Sequence, residues 1–214
     1  MKIRLKICGF TRKEDVEISS RLGVDYFGFN FIPTSPRYIS PCTVGEIMQG
    51  LNISGISVAL FANSSMEDIR EALFLSKVQA IQLHGSESPE FCERVRREFP
   101  NLILIRALHP ESDLSLWKDS SINFLLFDSA SGSLPGGTGR PFNWNILPFL
   151  SSSSPLPFFI AGGISSETLP LLLSHIQPYG IDVATGSERT PGIKDPAKIA
   201  EILKILGEPR NETS

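Results

Sequence analysis

KIRLKICGFTRKEDVEISSRLGVDYFGFNF, residues 2–31, sets a pattern that the rest of the chain repeats. Ile3, Leu5 and Ile7 alternate with Lys2, Arg4 and Lys6, which reads as a strand over Ile3–Cys8. Arg12–Leu22 follows with helical spacing, and Thr11 stands three residues before Glu14 in the manner of an N-terminal cap. Asp25–Phe31 is then an almost continuous apolar run, as expected of a strand covered on both faces. Two strands joined through a helix are parallel, because an antiparallel pair needs only a short turn.

Working outward, further strands are predicted at Gly55–Phe61, Ala80–His84, Leu102–Leu108, Asn123–Asp128, Phe158–Ala161 and Gly180–Ala184. Helices are predicted at Thr43–Gly50, Met66–Ser76, Pro89–Phe99, Leu114–Lys118, Asn143–Leu150, Glu167–His175 and Pro196–Leu206. Ser65 before Asp68, Ser88 before Pro89 and Asp195 before Pro196 supply start signals. Eight strand–helix units without hairpin signals point to an α/β fold, a single-domain (β/α)8 TIM barrel over residues 1–207, with a frayed tail at 208–214. An open doubly wound sheet is the structural competitor. It would be expected to carry a glycine-rich turn after the first strand, and ICGFT is not one. The serines Ser151–Ser154, with Pro155 and Pro157, read as a surface loop inside one domain.

With 214 residues, 41% of them hydrophobic and 20% charged, the chain is long enough for such a barrel and ordinary for a globular protein. A net charge of −3 gives no electrostatic case for nucleic acid or an anionic membrane as partner, so any anionic ligand must be gripped by local features. No apolar run approaches the roughly 18 residues of a membrane span, and the N-terminus lacks the apolar stretch of a signal peptide. Cys8, Cys42 and Cys92 are too sparse for a disulfide framework and lack metal-ligand spacing. The expectation is a cytoplasmic protein with no cofactor and no metal, acting on a small molecule as monomer or homodimer.

In such a barrel the chemistry gathers at the C-terminal ends of the strands. Lys6 and Cys8 stand there on the first strand, Arg37 after the second, Gln82 and His84 at the fourth, Arg106 and His109 at the fifth, and Asp128 at the sixth. Gly162-Gly163 close the seventh strand and Thr185-Gly186-Ser187 the eighth. One glycine pair alone makes a tight turn. Two glycine loops on adjacent strands, one with hydroxyls at Thr185 and Ser187, suit a phosphate group. Asp128 ends the apolar run FLLF, where burial would raise its pKa and suit a general acid, although an isolated aspartate there also caps turns. Cys8 reads as a small hydrophobe or as a partly ionised base beside Lys6, with which it shares strand parity. Arg37, in the rigid SPRY turn, has the fork geometry to hold a carboxylate. GGTG at 136–139 could fold over a ligand.

KICGFTRKEDV, SPRYIS, IQLHGSE, LLFDS with GGTGRPFNW, IAGGI, and GIDVATGSE with PGIKD together resemble the phosphoribosylanthranilate isomerase family of tryptophan biosynthesis, over about the whole chain. The resemblance implies an aldose–ketose isomerase performing an Amadori rearrangement on a phosphosugar without a cofactor. By position it implies Cys8 as general base, Asp128 as general acid and Arg37 as the contact to the anthranilate carboxylate. It implies a phosphate cradle at Gly162, Gly163, Gly186 and Ser187, and Asp182 near the substrate. His84 joins the substrate-binding set. Ala184 and Thr185 depart from a usual serine pair, and Asn143 stands where aspartate is frequent.

Overall fold

The computed structural model describes residues 2–118, 120–128 and 147–207. Eight parallel strands close on themselves in sequence order: β1 (Arg4–Cys8), β2 (Tyr26–Asn30), β3 (Ile56–Phe61), β4 (Ala80–Leu83), β5 (Ile103–Leu108), β6 (Phe124–Asp128), β7 (Phe158–Ala161) and β8 (Gly180–Val183). The helices between them are α1 (Lys13–Leu22), α2 (Pro41–Gln49), α3 (Met66–Ser76), α4 (Pro89–Glu98), α5 (Leu147–Ser153), α6 (Leu169–His175) and α7 (Pro196–Gly207). This is the expected (β/α)8 barrel. The expected lid at 136–139, Asn143 and the tail 208–214 lie outside the described residues.

Local chemistry explains where most helices begin. The Ser65 hydroxyl accepts from the Asp68 N–H while the Asp68 carboxylate accepts from the Ser65 N–H, a reciprocal cap on α3. Ser88 caps α4 ahead of Pro89, and Asp195 accepts from the Ala197 N–H at the start of α7. Thr11 behaves differently from its reading as a cap. Arg12 is the N-cap of α1 without a side-chain bond, and the Thr11 hydroxyl instead donates to the Gly192 carbonyl.

Three further expectations are corrected. Leu114–Lys118 forms only a 3₁₀ turn, Leu114–Trp117, held by Asp113; five residues are too few to nucleate an α-helix. Ser151–Ser153 are the last turn of α5 and not a loop, with the Ser154 N–H bonded to the Leu150 carbonyl. A small antiparallel hairpin, β9 (Glu188–Thr190) with β10 (Ile193–Lys194), follows the eighth strand.

Two apolar layers hold the barrel. Leu5, Ile7, Phe27, Phe29, Ile81, Leu125 and Ile181 face the helices and are fully buried, each stabilising by about 1.5–3 kcal/mol relative to exposure. The inner layer includes Cys8, Tyr26, Val58, Leu60, Ile105, Leu126 and Phe159. Register carries the polar residues inward with them: Lys6 lies opposite Tyr26 on β2 and Asp182 on β8, and Cys8 opposite Gly28. Side chains two apart on a strand share a face, so Lys6 and Cys8 both point into the barrel.

Candidate active site at the barrel mouth

Lys6 is wholly buried and its Nζ lies 2.9 and 3.0 Å from the two carboxylate oxygens of Asp182. Burial alone would lower the Lys6 ammonium, but Asp182 and Cys8 outweigh it and hold its pKa above the usual lysine value. Cys8 sits directly above. A Cβ placed on Gly28 would lie 3.2 Å from Lys6 Nζ, 3.3 Å from Cys8 Sγ and 3.1 Å from Cys8 Cα. Glycine at 28 therefore makes the room in which thiol and ammonium meet. Burial pushes the thiol pKa up, Lys6 pulls it back, Asp182 pushes it up again, and Lys194 and Arg37 pull it down; the net is upward.

Asp128 ends β6 in the same mouth, half-buried, and its charge is felt by Lys6. His84 Nε2 stands 3.4 Å from Asp128 Oδ2. The amide of Gln82 lies 2.8 Å from His84 Nδ1; with the amide nitrogen donating, the ring proton is on Nε2 and faces the aspartate. His84 is thus a neighbour of the carboxyl group.

Arg37 is anchored more firmly than a solvated arginine. Its Nε is 3.0 and 3.1 Å from the two Glu188 oxygens, and Nη2 is 2.7 Å from Glu188 Oε2 and 3.2 Å from the Thr185 hydroxyl. The hydrogen bonds to Glu188 hold its pKa above the ordinary arginine value. The same contacts, with Lys194, outweigh burial and keep Glu188 below the usual carboxylate range. Gly9 beside Cys8 has φ of 84°, and a Cβ there would run into the Arg37 side chain.

At the ends of β7 and β8, Gly162 and Gly163 take φ of 96° and 65°, which only glycine adopts freely. A Cβ on Gly186 would collide with the Ile164 carbonyl oxygen, so the two loops pack backbone to backbone. The hydroxyls expected beside them are engaged elsewhere. Thr185 accepts from Arg37, and Ser187, completely buried, donates both its N–H and its Oγ to the Ala184 carbonyl. Ser187 therefore fixes the turn.

The mouth thus gathers Cys8, Lys6, Asp182, Arg37, His84 and Asp128, with the glycine loops of β7 and β8 on its rim. Arg106 and His109 stand apart from this cluster. Arg106 is spent on the Glu87 carboxylate and the carbonyls of Leu83, Gly85 and Ala107, and His109 caps the Glu111 N–H. Glu188 and Lys194 were missed by sequence reasoning. Lys194 sits in the turn segment Pro191-Gly192-Ile193-Lys194-Asp195, where nothing in the local pattern points across the chain to Cys8.

A family profile described as N-(5'phosphoribosyl)anthranilate (PRA) isomerase matches residues 5–205. The N-(5'-phosphoribosyl)anthranilate isomerase of Thermosynechococcus vestitus is 41% identical over 96% of this chain and 90% of its own length. The crystal structure of phosphoribosyl anthranilate isomerase from Thermus thermophilus superposes with a TM-score of 0.83, at 30% identity, over 95% of this chain and 98% of that one. A second solved isomerase, in complex with reduced 1-(o-carboxyphenylamino)-1-deoxyribulose 5-phosphate, gives a TM-score of 0.80 at 27% identity over the same shares. With residues 5–205 matching the family and its solved members superposing over 95% of the chain, the chain belongs to the N-(5'-phosphoribosyl)anthranilate isomerase family.

Proposed function

We propose that this chain converts N-(5-phosphoribosyl)anthranilate into 1-(2-carboxyphenylamino)-1-deoxyribulose 5-phosphate, the Amadori step of tryptophan biosynthesis. The observation that carries the reading is the shared mouth: the Cys8 thiol beside the Lys6 ammonium, with Asp128 within electrostatic reach of that same ammonium. The solved relative holding the reduced product analogue supports the substrate class.

Asp128, protonated, gives its proton to the furanose ring oxygen as the bond from that oxygen to C1′ breaks. The nitrogen lone pair forms the C1′–N double bond, leaving a protonated imine. Cys8 as thiolate removes the C2′ proton, and the C2′–H electron pair moves toward nitrogen to give an enolamine. Transfer of the enol proton to C1′ then yields the ketone. Atoms and electrons balance with no oxidant, because the iminium nitrogen is the electron sink. The thiolate is the minority form of Cys8 at neutral pH, and its raised pKa makes it the stronger base.

Arg37 would hold the anthranilate carboxylate, its fork steadied by Glu188. The backbone of Gly162, Gly163 and Gly186 would cradle the phosphate, with Ser187 shaping the turn. Asp182 acts near the substrate by fixing Lys6, and His84 by orienting Asp128. The three free cysteines suit the cytoplasm, with the chain acting as monomer or homodimer. Among the described residues no helix is long and apolar enough to cross a membrane.

The test is to supply purified protein with freshly prepared phosphoribosylanthranilate and follow loss of its fluorescence. Folded protein that leaves the signal at the buffer rate would refute the assignment. Arg37→Ala should chiefly raise KM; a pure kcat effect would contradict the carboxylate role.

A further inference from the structure

Lys194 is 2% exposed, yet it lies at the edge of a two-residue strand well away from β1 in sequence. Its Nζ donates to the Cys8 carbonyl oxygen and, 2.8 Å away, to Glu188 Oε1. Its backbone N–H donates to the buried carboxylate of Asp15 on α1 at 3.0 Å, and its ammonium sits 5.4 Å over the Phe10 ring. Glu188 in turn holds the Gly192 N–H and the Arg37 fork. Thr11, through the Gly192 carbonyl, pins the hairpin that carries Lys194 back onto the loop after β1.

We propose that Lys194 is a positioning residue for the isomerisation: by bonding the Cys8 carbonyl and the Glu188 carboxylate at once, it sets the separation between the thiol and the Arg37 guanidinium. Once a substrate is gripped by its carboxylate at Arg37, that separation decides how close C2′ comes to the sulfur. A plain structural ion pair has no need to join these two particular groups. Burial holds the Lys194 pKa below the ordinary lysine value, with Glu188 acting against it. The charged groups around Cys8 are then Lys6 on its own strand, Asp182 on β8, Arg37 after β2, and Lys194 with Glu188 on the hairpin, with Asp15 of α1 on the Lys194 N–H.

The inference rests on the isomerase reading for its kinetic arm, so the experiment carries a second arm that needs no substrate. Lys194→Met keeps the length of the side chain and removes its charge. In the kinetic arm, Lys194→Met should lower kcat/KM by about 10²-fold, the scale of a misplacement near 1 Å. In an Arg37→Ala background the same change should cost only about 2–3-fold, since the distance it sets no longer matters. In the other arm, iodoacetamide alkylation of Cys8 is followed against pH with exposed Cys42 replaced by Ser; Cys92 is wholly buried. Loss of the cation should move the midpoint upward.

In an active enzyme, equal losses in both backgrounds, or an unmoved midpoint, would overturn the proposal. An inert wild type whose midpoint still moves would sink the isomerase reading while leaving the Lys194–Cys8 link standing; an inert wild type with a fixed midpoint would sink both. Should Lys194→Met fail to fold, Glu188→Gln breaks the same chain of contacts from its middle: the kinetic criterion carries over, but the Cys8 midpoint should hold or fall, because the cation stays and a carboxylate is lost, and a rise would overturn the proposal.

Discussion

Replacing Lys6 by Met should destabilise the barrel strongly, and removing Asp182 as well should restore most of the loss. Lys6 is 0% exposed and Asp182 5%, and both carboxylate oxygens are within 3.0 Å of the ammonium. Without Lys6 the carboxylate is left in an apolar barrel beside the Cys8 sulfur. Breaking a buried pair from one side costs about 3–5 kcal/mol. For a chain of this size each kcal/mol moves Tm by roughly 2–4 °C, which gives a drop of about 6–20 °C. Replacing both partners with apolar residues of similar volume is often neutral or stabilising, because neither charge then has to be desolvated. Lys6→Met/Asp182→Leu should therefore melt near the wild-type temperature while turning over substrate at a small fraction of the wild-type rate. Thermal melting by circular dichroism and the fluorescence assay read the two properties on the same samples. A single variant as stable as wild type, or a double variant that recovers activity together with stability, would show that the pair is not what keeps the thiol in its working environment.

Cys8→Ser and Asp128→Asn should each lower kcat by about 10²–10⁴-fold, the usual contribution of an acid–base group, with unchanged circular dichroism; folded variants at near wild-type rates would remove the role assignment. Gly28→Ala inserts a methyl within 3.3 Å of Cys8 Sγ and Lys6 Nζ, so turnover should fall while stability drops by only about 1–3 kcal/mol. Unchanged kcat in that variant would mean that the two groups do not need their present separation. The pH dependence follows from the raised thiol pKa: above 9.0 the folded protein binds more protons at Cys8 than the unfolded chain does. Stability from this group is thus complete below pH 9 and lost as pH rises through the folded value. Urea midpoints measured from pH 8 to 11 should fall, and fall less steeply in Cys8→Ser; identical slopes would place the thiol's proton outside the folding equilibrium.

Fold and site were unequally legible. Strand identity was readable because parallel strands covered on both faces give continuous apolar runs, such as FLLF before Asp128 and FFIA at β7. That same continuity hides which face is the inner one. Polar interruptions did not settle it: Lys6, Gln82 and Asp182 face inward, whereas Arg106 on β5 shares the outer face with Leu83, paired with Glu87 and lying over the Trp117 ring. Asp128, Gly162 and Gly163 were legible as strand-end residues. The partners of Arg37 and Cys8 were not, because Glu188 and Lys194 reach them across 151 and 186 residues of chain. Thr11 shows the complementary error: a local capping pattern was present, and a contact with Gly192 won the hydroxyl.

The charge at the mouth resolves an apparent contradiction in composition. The chain as a whole carries a net charge of −3, yet its proposed substrate bears a carboxylate and a phosphate. Around Cys8 stand Lys6, Arg37 and Lys194, with Asp182 and Glu188 bonded to them and Asp15 on the Lys194 N–H. The mouth therefore gathers cations that the net charge of the whole chain conceals. Each carboxylate there is fully committed, Asp182 to Lys6 and Glu188 to Arg37, Lys194 and the Gly192 N–H. Neither can approach an incoming anion as a competitor. An anionic substrate would therefore be gripped by these local groups, Arg37 foremost, and not by the field of the whole chain.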